Sequence, residues 1–334
     1  MGVAAGGTVT VFDEMRALVV GAGSVGLRHH RVLEGLGFRS ELVSRRPSAG
    51  GLGGPRVHSE LEEAVRIVEP DHVVIATETS AHLSVLRSLA ETGFAGTVLV
   101  EKPLAGSTSE LWFGDGPFRA AAVGYHLRFH PVVAAARAAL GGARIVTMGA
   151  SVGQHLAAWR PGRPIGDTAS ARLEAGGGVL RDLSHELDLV RWFGGRWSRV
   201  CALGGRSGVL GPQVLTDDRW GILIELESGA VATIQMDALD HVGRRNFSLV
   251  AADRSVIGDL VAGTITHAGP DGGSNDRSSV DRDEVFADMH LALIAGVFDD
   301  RLCTLAEGME LVELIEAVER SVATGGWVVR DPSR

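Results

Sequence analysis

A buried strand that runs straight into a glycine-rich turn limits what this chain can fold into more than anything else in it. Met15-Arg16-Ala17-Leu18-Val19-Val20 reads as a strand of a parallel sheet, and it continues without a break into Gly21-Ala22-Gly23-Ser24-Val25-Gly26. Leu27, Val32, Leu33 and Leu36 then recur with helical spacing until Gly37, and Glu41 to Ser44 reads as a second strand. A G-x-G-x-x-G run alone says little. One that leaves a strand, opens a helix and returns to a strand is the setting in which a dinucleotide is held. The first glycine permits a tight turn, the second lets a pyrophosphate approach the backbone, and the third lets helix and strand pack closely. Free N–H groups at the helix start then face the phosphates.

The tip of the second strand bears on which dinucleotide. An acid there holds the ribose 2′-hydroxyl of NAD, whereas an arginine suits the 2′-phosphate of NADP. The residues are Ser44-Arg45-Arg46, with no acid until Glu60, so NADP is the preferred cofactor and NAD the alternative.

The α/β alternation continues. A helix over 61–68 precedes a strand over 71–76 that ends in Thr77-Glu78-Thr79-Ser80. A helix over 83–90 precedes a strand over 97–100 that delivers Glu101-Lys102-Pro103. Ligands of open α/β sheets bind at the carboxyl ends of the strands, so Thr77 to Thr79 and Lys102 lie where a nicotinamide ring belongs. Lys102 is also the one lysine among 32 basic side chains. A chain that uses arginine everywhere else keeps lysine where a compact charge or a movable proton is needed.

With 334 residues the chain exceeds what one hydrophobic core serves, and two domains are expected. The boundaries are drawn as a tail over 1–14, a dinucleotide-binding domain over 15–124, and a substrate-binding and oligomerisation domain over 125–334. A C-terminal helix could pack back on the first domain. The net charge of −9 argues against a nucleic-acid partner. No run reaches the roughly 18 apolar residues of a membrane span. Cys201 and Cys303 have no metal-like spacing, which fits a reducing, cytoplasmic location.

In the second part, Gly176-Gly177-Gly178 precedes a helical stretch through Phe193 that carries Asp182 and His185, three apart and so on one face. A carboxylate beside a histidine orients the ring for acid–base work. His126 and His130 stand at i, i+4, but two histidines without further ligands do not make a metal site, and none is expected. Strands are read over 144–152, 200–205, 220–227, 230–237 and 247–251, with Glu227-Ser228-Gly229-Ala230 as a hairpin turn. Residues 268–283 read as a mobile loop, and helices over 284–298 and 305–323 close the chain. The fold class is therefore α/β: an N-terminal Rossmann doubly wound parallel sheet, then an α+β domain with an open, mostly antiparallel sheet. An open sheet has a face to cover, so a homodimer or homotetramer through it is expected.

Taken together, Gly21 to Gly26, Ala76-Thr77-Glu78-Thr79-Ser80-Ala81-His82, Glu101-Lys102-Pro103, Gly124 to Phe129 and Gly176 to Trp192 resemble the Gfo/Idh/MocA oxidoreductases over almost the whole chain. The resemblance implies that Lys102 sits beside the nicotinamide and the reacting hydroxyl, that His185 moves the proton, and that Asp182 orients it. It implies cofactor contacts from Gly21, Gly23, Ser24, Val25, Gly26, Thr77, Glu78, Thr79, His82, Glu101 and Lys102, beside Ser44, Arg45 and Arg46. Tyr125, His126, Arg128, Trp159 and Arg160 are candidates for the substrate side. Three positions depart from the family pattern: Arg181 holds the place of its aspartate, Glu78 that of a proline, and His126 that of an asparagine. The implied activity is NAD(P)-dependent hydride transfer to or from a secondary hydroxyl or ketone of a sugar, nucleotide sugar or cyclitol. The same scaffold resembles glycoside hydrolases that retain NAD, and non-catalytic dinucleotide sensors.

Overall fold

The computed structural model describes residues 14–45, 55–110, 114, 116–270, 272–297 and 299–331. Its first layer is a parallel sheet of β1 (Arg16–Val20), β2 (Arg39–Val43), β3 (Val57–His58), β4 (His72–Ile75), β5 (Thr97–Val100) and β6 (Ala120–Val123), in the order β3-β2-β1-β4-β5-β6. The order reverses between β2 and β4 on either side of β1, which opens a crevice above the first strand. Helices α1 (Ser24–Gly35), α2 (Leu61–Val68) and α3 (His82–Glu91) connect the strands. Ala17, Leu18, Val19, Val73, Val74, Val98 and Leu99 are inaccessible to solvent because both sheet faces are covered. Each such aliphatic side chain contributes about 1.5–3 kcal/mol by leaving water.

α4 (Pro131–Leu140) leads out of this layer. Pro131 occupies its first turn, and a ring nitrogen of His130 accepts from the Val132 amide at 3.2 Å. The second layer is a nine-stranded sheet of β7 (Ile145–Gly153), β8 (Trp197–Gly205), β9 (Arg219–Leu226), β10 (Val231–Asp237), β11 (Arg244–Ala251), β12 (Ser255–Asp259), β13 (Thr264–Gly269), β14 (Gly272–Arg277) and β15 (Val328–Val329). Their order is β14-β13-β12-β11-β7-β10-β9-β8-β15, and only the β7–β10 pair is parallel. Gly229, at φ +81°, makes the β9–β10 turn.

Two sequence expectations change here. Residues 268–283 are not a loop: they supply the end of β13, all of β14 and the start of the next long helix. The stretch after Gly176-Gly177-Gly178 is not one helix. α5 (Leu156–Trp159) is followed by α6 (Val179–Asp182) and α7 (His185–Gly194), and the chain turns at Leu183 and Ser184 between the last two.

α8 (Arg282–Ala295) returns to the first layer, where Val285, Phe286, Met289 and Leu293 join Val19, Leu33 and Val74 in one apolar cluster. α9 (Leu305–Thr324) starts with a capping box between Thr304 and Glu307 and packs on β8. No helix among the described residues is long and apolar enough to cross a membrane.

Candidate active site

The glycine turn has the shape its sequence implies. Gly21 stands at φ +114°, and a Cβ there would lie 2.3 Å from the Ala76 carbonyl oxygen. A Cβ on Gly26 would lie 1.9 Å from the Gly21 carbonyl oxygen, so the helix start can close on the turn only without a side chain. A Cβ on Gly23 meets nothing within 4 Å. That opening lies at the N-terminus of α1, where no side chain caps the free amides and the first turn holds no acid. Ser24, Val25 and Gly26 thus present N–H groups and the positive end of the helix, and the cradle fits a dinucleotide pyrophosphate. At the tip of β2, the Ser44 amide donates to His58 O at 2.8 Å and Arg45 is exposed. Arg46 lies outside the described residues.

β4 and β5 end beside each other. The Thr77 hydroxyl oxygen is buried with no hydrogen-bond partner, a polar group aimed where a ligand would supply one. Thr79 packs toward Gly176, and Glu78 pairs with Arg172 at 3.6 Å. His82 is spent on the protein itself: its Nδ1 lies 2.9 Å from Pro103 O and its Nε2 3.3 Å from Thr77 O. It ties the two strand ends together rather than offering a nitrogen to the cofactor.

Lys102 Nζ donates to the Asp182 carbonyl oxygen at 2.5 Å and to Arg181 O at 3.5 Å. Burial lowers the pKa of this ammonium below its usual range, although the carboxylates of Asp182 and Glu101 oppose the shift. Burial likewise raises the Asp182 carboxyl, against the pull of Lys102 and a hydrogen bond from Ser170. One Asp182 oxygen has no hydrogen-bond partner among the described residues.

His185 is buried, and its Nδ1 has no hydrogen-bond partner among the described residues. Its ring meets His126 edge-on at 4.5 Å and Tyr125 at 5.5 Å between centroids. Burial first, then the charges of His126, Lys102, Arg245 and Arg282, hold it neutral, well below the usual histidine range. A neutral imidazole with an unclaimed nitrogen is a proton acceptor in waiting. The expected Asp182–His185 pair is not formed. The turn at Leu183 and Ser184 takes the two residues off a common helical face, and Asp182 acts on Lys102 instead.

Four substrate-side expectations are also revised or narrowed. Arg128 is wholly buried, bound to Asp188 at 2.6 Å and to Glu307 at 3.0 Å, so its fork has nothing left for a ligand. The Tyr125 hydroxyl donates to Ser184 at 3.3 Å, and its ring braces His185. The Trp159 indole N–H donates to Gln154 O at 3.0 Å. Arg160 is exposed, and its one bond goes to the Trp159 carbonyl at 2.8 Å. His126 remains beside His185, with its other side 4.4 Å from Phe286 of α8.

Several contributors were not read from the sequence. Arg245 of β11 grips Glu186, the residue after His185, at 2.7 and 3.0 Å. Behind Lys102 runs a buried chain: Thr97 Oγ1 to His72 Nδ1 (2.9 Å), His72 Nε2 to His290 Nδ1 (3.1 Å), His290 Nε2 to His29 Nδ1 (2.9 Å), and His29 Nε2 to Glu101 Oε1 (2.9 Å). Burial alone would raise the Glu101 carboxyl; the hydrogen bond and charge of His29, then Lys102, bring it below its ordinary value.

A Rossmann crevice with an open pyrophosphate cradle, a lysine at a strand end that binds the Asp182 carbonyl, and a buried histidine three residues further on define a nicotinamide-binding oxidoreductase. Residues 15–112 match the family described as "Oxidoreductase family, NAD-binding Rossmann fold", and residues 136–257 match the "GFO/IDH/MocA C-terminal domain". The chain belongs to the Gfo/Idh/MocA family of oxidoreductases. A comparison with curated proteins gives no match. Among solved structures, a levoglucosan dehydrogenase in complex with NADH superposes with a TM-score of 0.81 at 20% identity, over 94% of this chain and 98% of that one. GenD2 from gentamicin A biosynthesis, in complex with NAD, gives 0.75 at 23% identity over 99% and 100%. An oxidoreductase from Agrobacterium radiobacter, in complex with NAD+, L-tartaric acid and magnesium, gives 0.77 at 17% identity over 95% and 98%.

Proposed function

We propose that this chain is a dehydrogenase that moves a hydride between a nicotinamide dinucleotide and a secondary hydroxyl or ketone of a sugar, nucleotide sugar or cyclitol. The observation that carries the reading is the bond from Lys102, its ammonium destabilised by burial, to the Asp182 carbonyl, three residues before a buried His185 whose Nδ1 has no hydrogen-bond partner among the described residues. The bound nicotinamide supplies the hydride chemistry. Gly21, Gly23 and Gly26 with the start of α1 would hold its pyrophosphate, and the orphaned Thr77 hydroxyl would offer it a hydrogen bond. Lys102 donates to the reacting oxygen and stabilises the charge that develops there. His185 takes the hydroxyl proton during oxidation and returns it during reduction. Asp182 tunes Lys102 through charge and holds it through its carbonyl.

Ser44 and Arg45 at the tip of β2, with no acid beside them, support NADP(H). The relatives whose complexes name NAD or NADH support NAD(H). A paired titration decides: tighter NADPH binding that Arg45→Ala abolishes supports the first, and tighter NADH binding refutes it. The levoglucosan dehydrogenase likeness supports a sugar-like substrate. The outward face of the second sheet carries Val146, Leu203, Leu223 and Ile257 exposed among small polar residues, which supports a homodimer or homotetramer through it; light scattering of the purified protein tests this. Two free cysteines support residence in the reducing cytoplasm. The activity itself is tested by a sugar and cyclitol panel followed at the nicotinamide absorbance. Stoichiometric cofactor reduction supports the dehydrogenase; product formation with the cofactor retained unchanged would identify a hydrolase instead.

A further inference from the structure

We infer that His29 is a positioning residue for Lys102: backed by His290 and His72, it fixes the Glu101 carboxylate, and that carboxylate holds the main chain of the lysine and ties it to the helix that cradles the cofactor. The inference rests on the dehydrogenase reading, in which Lys102 donates to the reacting oxygen.

The two oxygens of Glu101 divide between two partners. Oε1 lies 2.9 Å from His29 Nε2, and Oε2 accepts from the Lys102 amide at 3.2 Å. The carboxylate fits there because Gly124 faces it without a side chain; a Cβ on that glycine would lie 2.9 Å from Oε1. His29 is wholly buried and held from its other side as well, with Nδ1 2.9 Å from His290 Nε2 and its ring 5.0 Å from Phe286. His290 is held in turn by His72, and His72 by Thr97. Thr97 starts β5 and Glu101 follows its last residue, so the chain of rings is hooked to both ends of the strand that delivers Lys102.

The elements that meet in this network all reach the site. His29 sits in the second turn of α1, whose first turn is the pyrophosphate cradle. His290 and Phe286 sit on α8, which Asp283 pins to Arg28 and Arg31 of α1. Phe286 lies 4.4 Å from the His126 ring, and His126 meets His185 at 4.5 Å. Cofactor helix, lysine and histidine are thus joined through contacts that pass by His29.

The chemistry of the network argues for a use beyond packing. A carboxylate and three imidazoles are costly to bury, and well-packed aliphatic side chains would often serve stability as well or better. Every ring nitrogen of His29, His72 and His290 has a partner, and a buried polar network that is satisfied in this way rigidifies what it holds. Burial would push the Glu101 carboxyl up, and His29 does most to bring it below its ordinary value. The other titratable groups that act with Glu101 are Lys102 beside it, His82 of α3 and Arg282 of α8. Without the His29 donor the carboxyl takes a proton at higher pH and weakens as an acceptor for the Lys102 amide.

The test compares His29→Asn with His29→Gln in the purified full-length enzyme. Asparagine keeps a polar atom near the place of Nδ1, toward His290, and loses the donor to Glu101; glutamine keeps a donor near the place of Nε2. His29→Asn is expected to slow single-turnover hydride transfer by about 10- to 100-fold at unchanged NADH affinity, and His29→Gln to recover most of the rate. Lys102 is the one lysine of the chain, so protein labelled at lysine Cε gives one side-chain resonance. Its pH titration should carry an inflection from Glu101 that lies higher in His29→Asn than in wild type or His29→Gln, and that Glu101→Gln removes. Equal rates and equal lysine titrations in the two His29 variants overturn the inference, whether both are fast or both slow. So does weakened NADH binding in His29→Asn with hydride transfer intact, which would make His29 a brace of α1 alone. Should His29→Asn fail to fold, a hydride-transfer rate and a lysine resonance left unchanged by Glu101→Gln overturn the inference in its place. A lysine titration that shifts as expected, in a protein that reduces no nicotinamide with any sugar or cyclitol, keeps the link from His29 to Lys102 and sinks the dehydrogenase reading.

Discussion

The Lys102 ammonium donates to the backbone carbonyl of Asp182 at 2.5 Å, joining the carboxyl end of a Rossmann strand to the last turn of a short helix from the other layer. The contact spans 80 residues of sequence and sets the lysine between the elements of the two sheets. An arginine there would present a larger planar fork in place of a compact ammonium.

His185→Gln is expected to lower kcat by about 10²- to 10⁴-fold while cofactor affinity holds, the usual loss for a removed general base. The wild-type pH profile carries the sign. If the neutral ring is the base, as proposed, burial holds its pKa well below the usual histidine range, so the oxidation rate should stay flat through pH 6.5 and fall only at lower pH. Steady-state kcat/KM against pH checks this; an acid limb centred at or above 6.5 contradicts it.

Stability should fall early on acidification. His72 is held near 3 and His130 near 4, chiefly by burial, and His290 is also well below its usual range. Their folded pKa values are depressed, so below about pH 6.5 the unfolded chain binds more protons than the native one, and unfolding becomes easier as pH drops. The loss begins near 6.5 and grows toward 3, ahead of most carboxylates. Melting temperatures measured from pH 8 to 4 test it. His290→Leu should lower stability at pH 8 by about 1–3 kcal/mol, since His29 and His72 each lose a buried partner, yet soften the acid slope.

Arg128 should be a structural residue and nothing more. Arg128→Met leaves Asp188 buried without its cation and should cost about 3–5 kcal/mol. Denaturant unfolding reads the loss. A folded Arg128→Met enzyme with a raised KM and unchanged stability would return the residue to the substrate side.

Much of the first layer was legible in the sequence because its signals are local. An apolar run into Gly21 to Gly26, and a strand that ends on Lys102, need no tertiary information. β6 leaves no mark in the sequence because Ala120-Ala121-Ala122-Val123 is too short and too small to show a strand pattern. β14 looks like a loop in the sequence because an edge strand with nearly every side chain in water shows no alternation. Asp182 was assigned to His185 on helical spacing, and two residues of irregular backbone between α6 and α7 defeat that spacing. Arg245, Arg282 and the chain from His72 through His290 to His29 could not be found at all. His290 lies 218 residues from His72 and 261 from His29, and only the return of α8 to the first sheet brings them together.

The central claim is that Lys102 stabilises charge on the reacting oxygen. Its most direct test is single-turnover reduction of the nicotinamide in Lys102→Arg, with cofactor affinity measured on the same preparation. The account predicts unchanged dinucleotide binding and a hydride-transfer rate reduced about 10²- to 10³-fold, the cost of one misplaced oxyanion donor. Near-normal hydride transfer in that variant would contradict it.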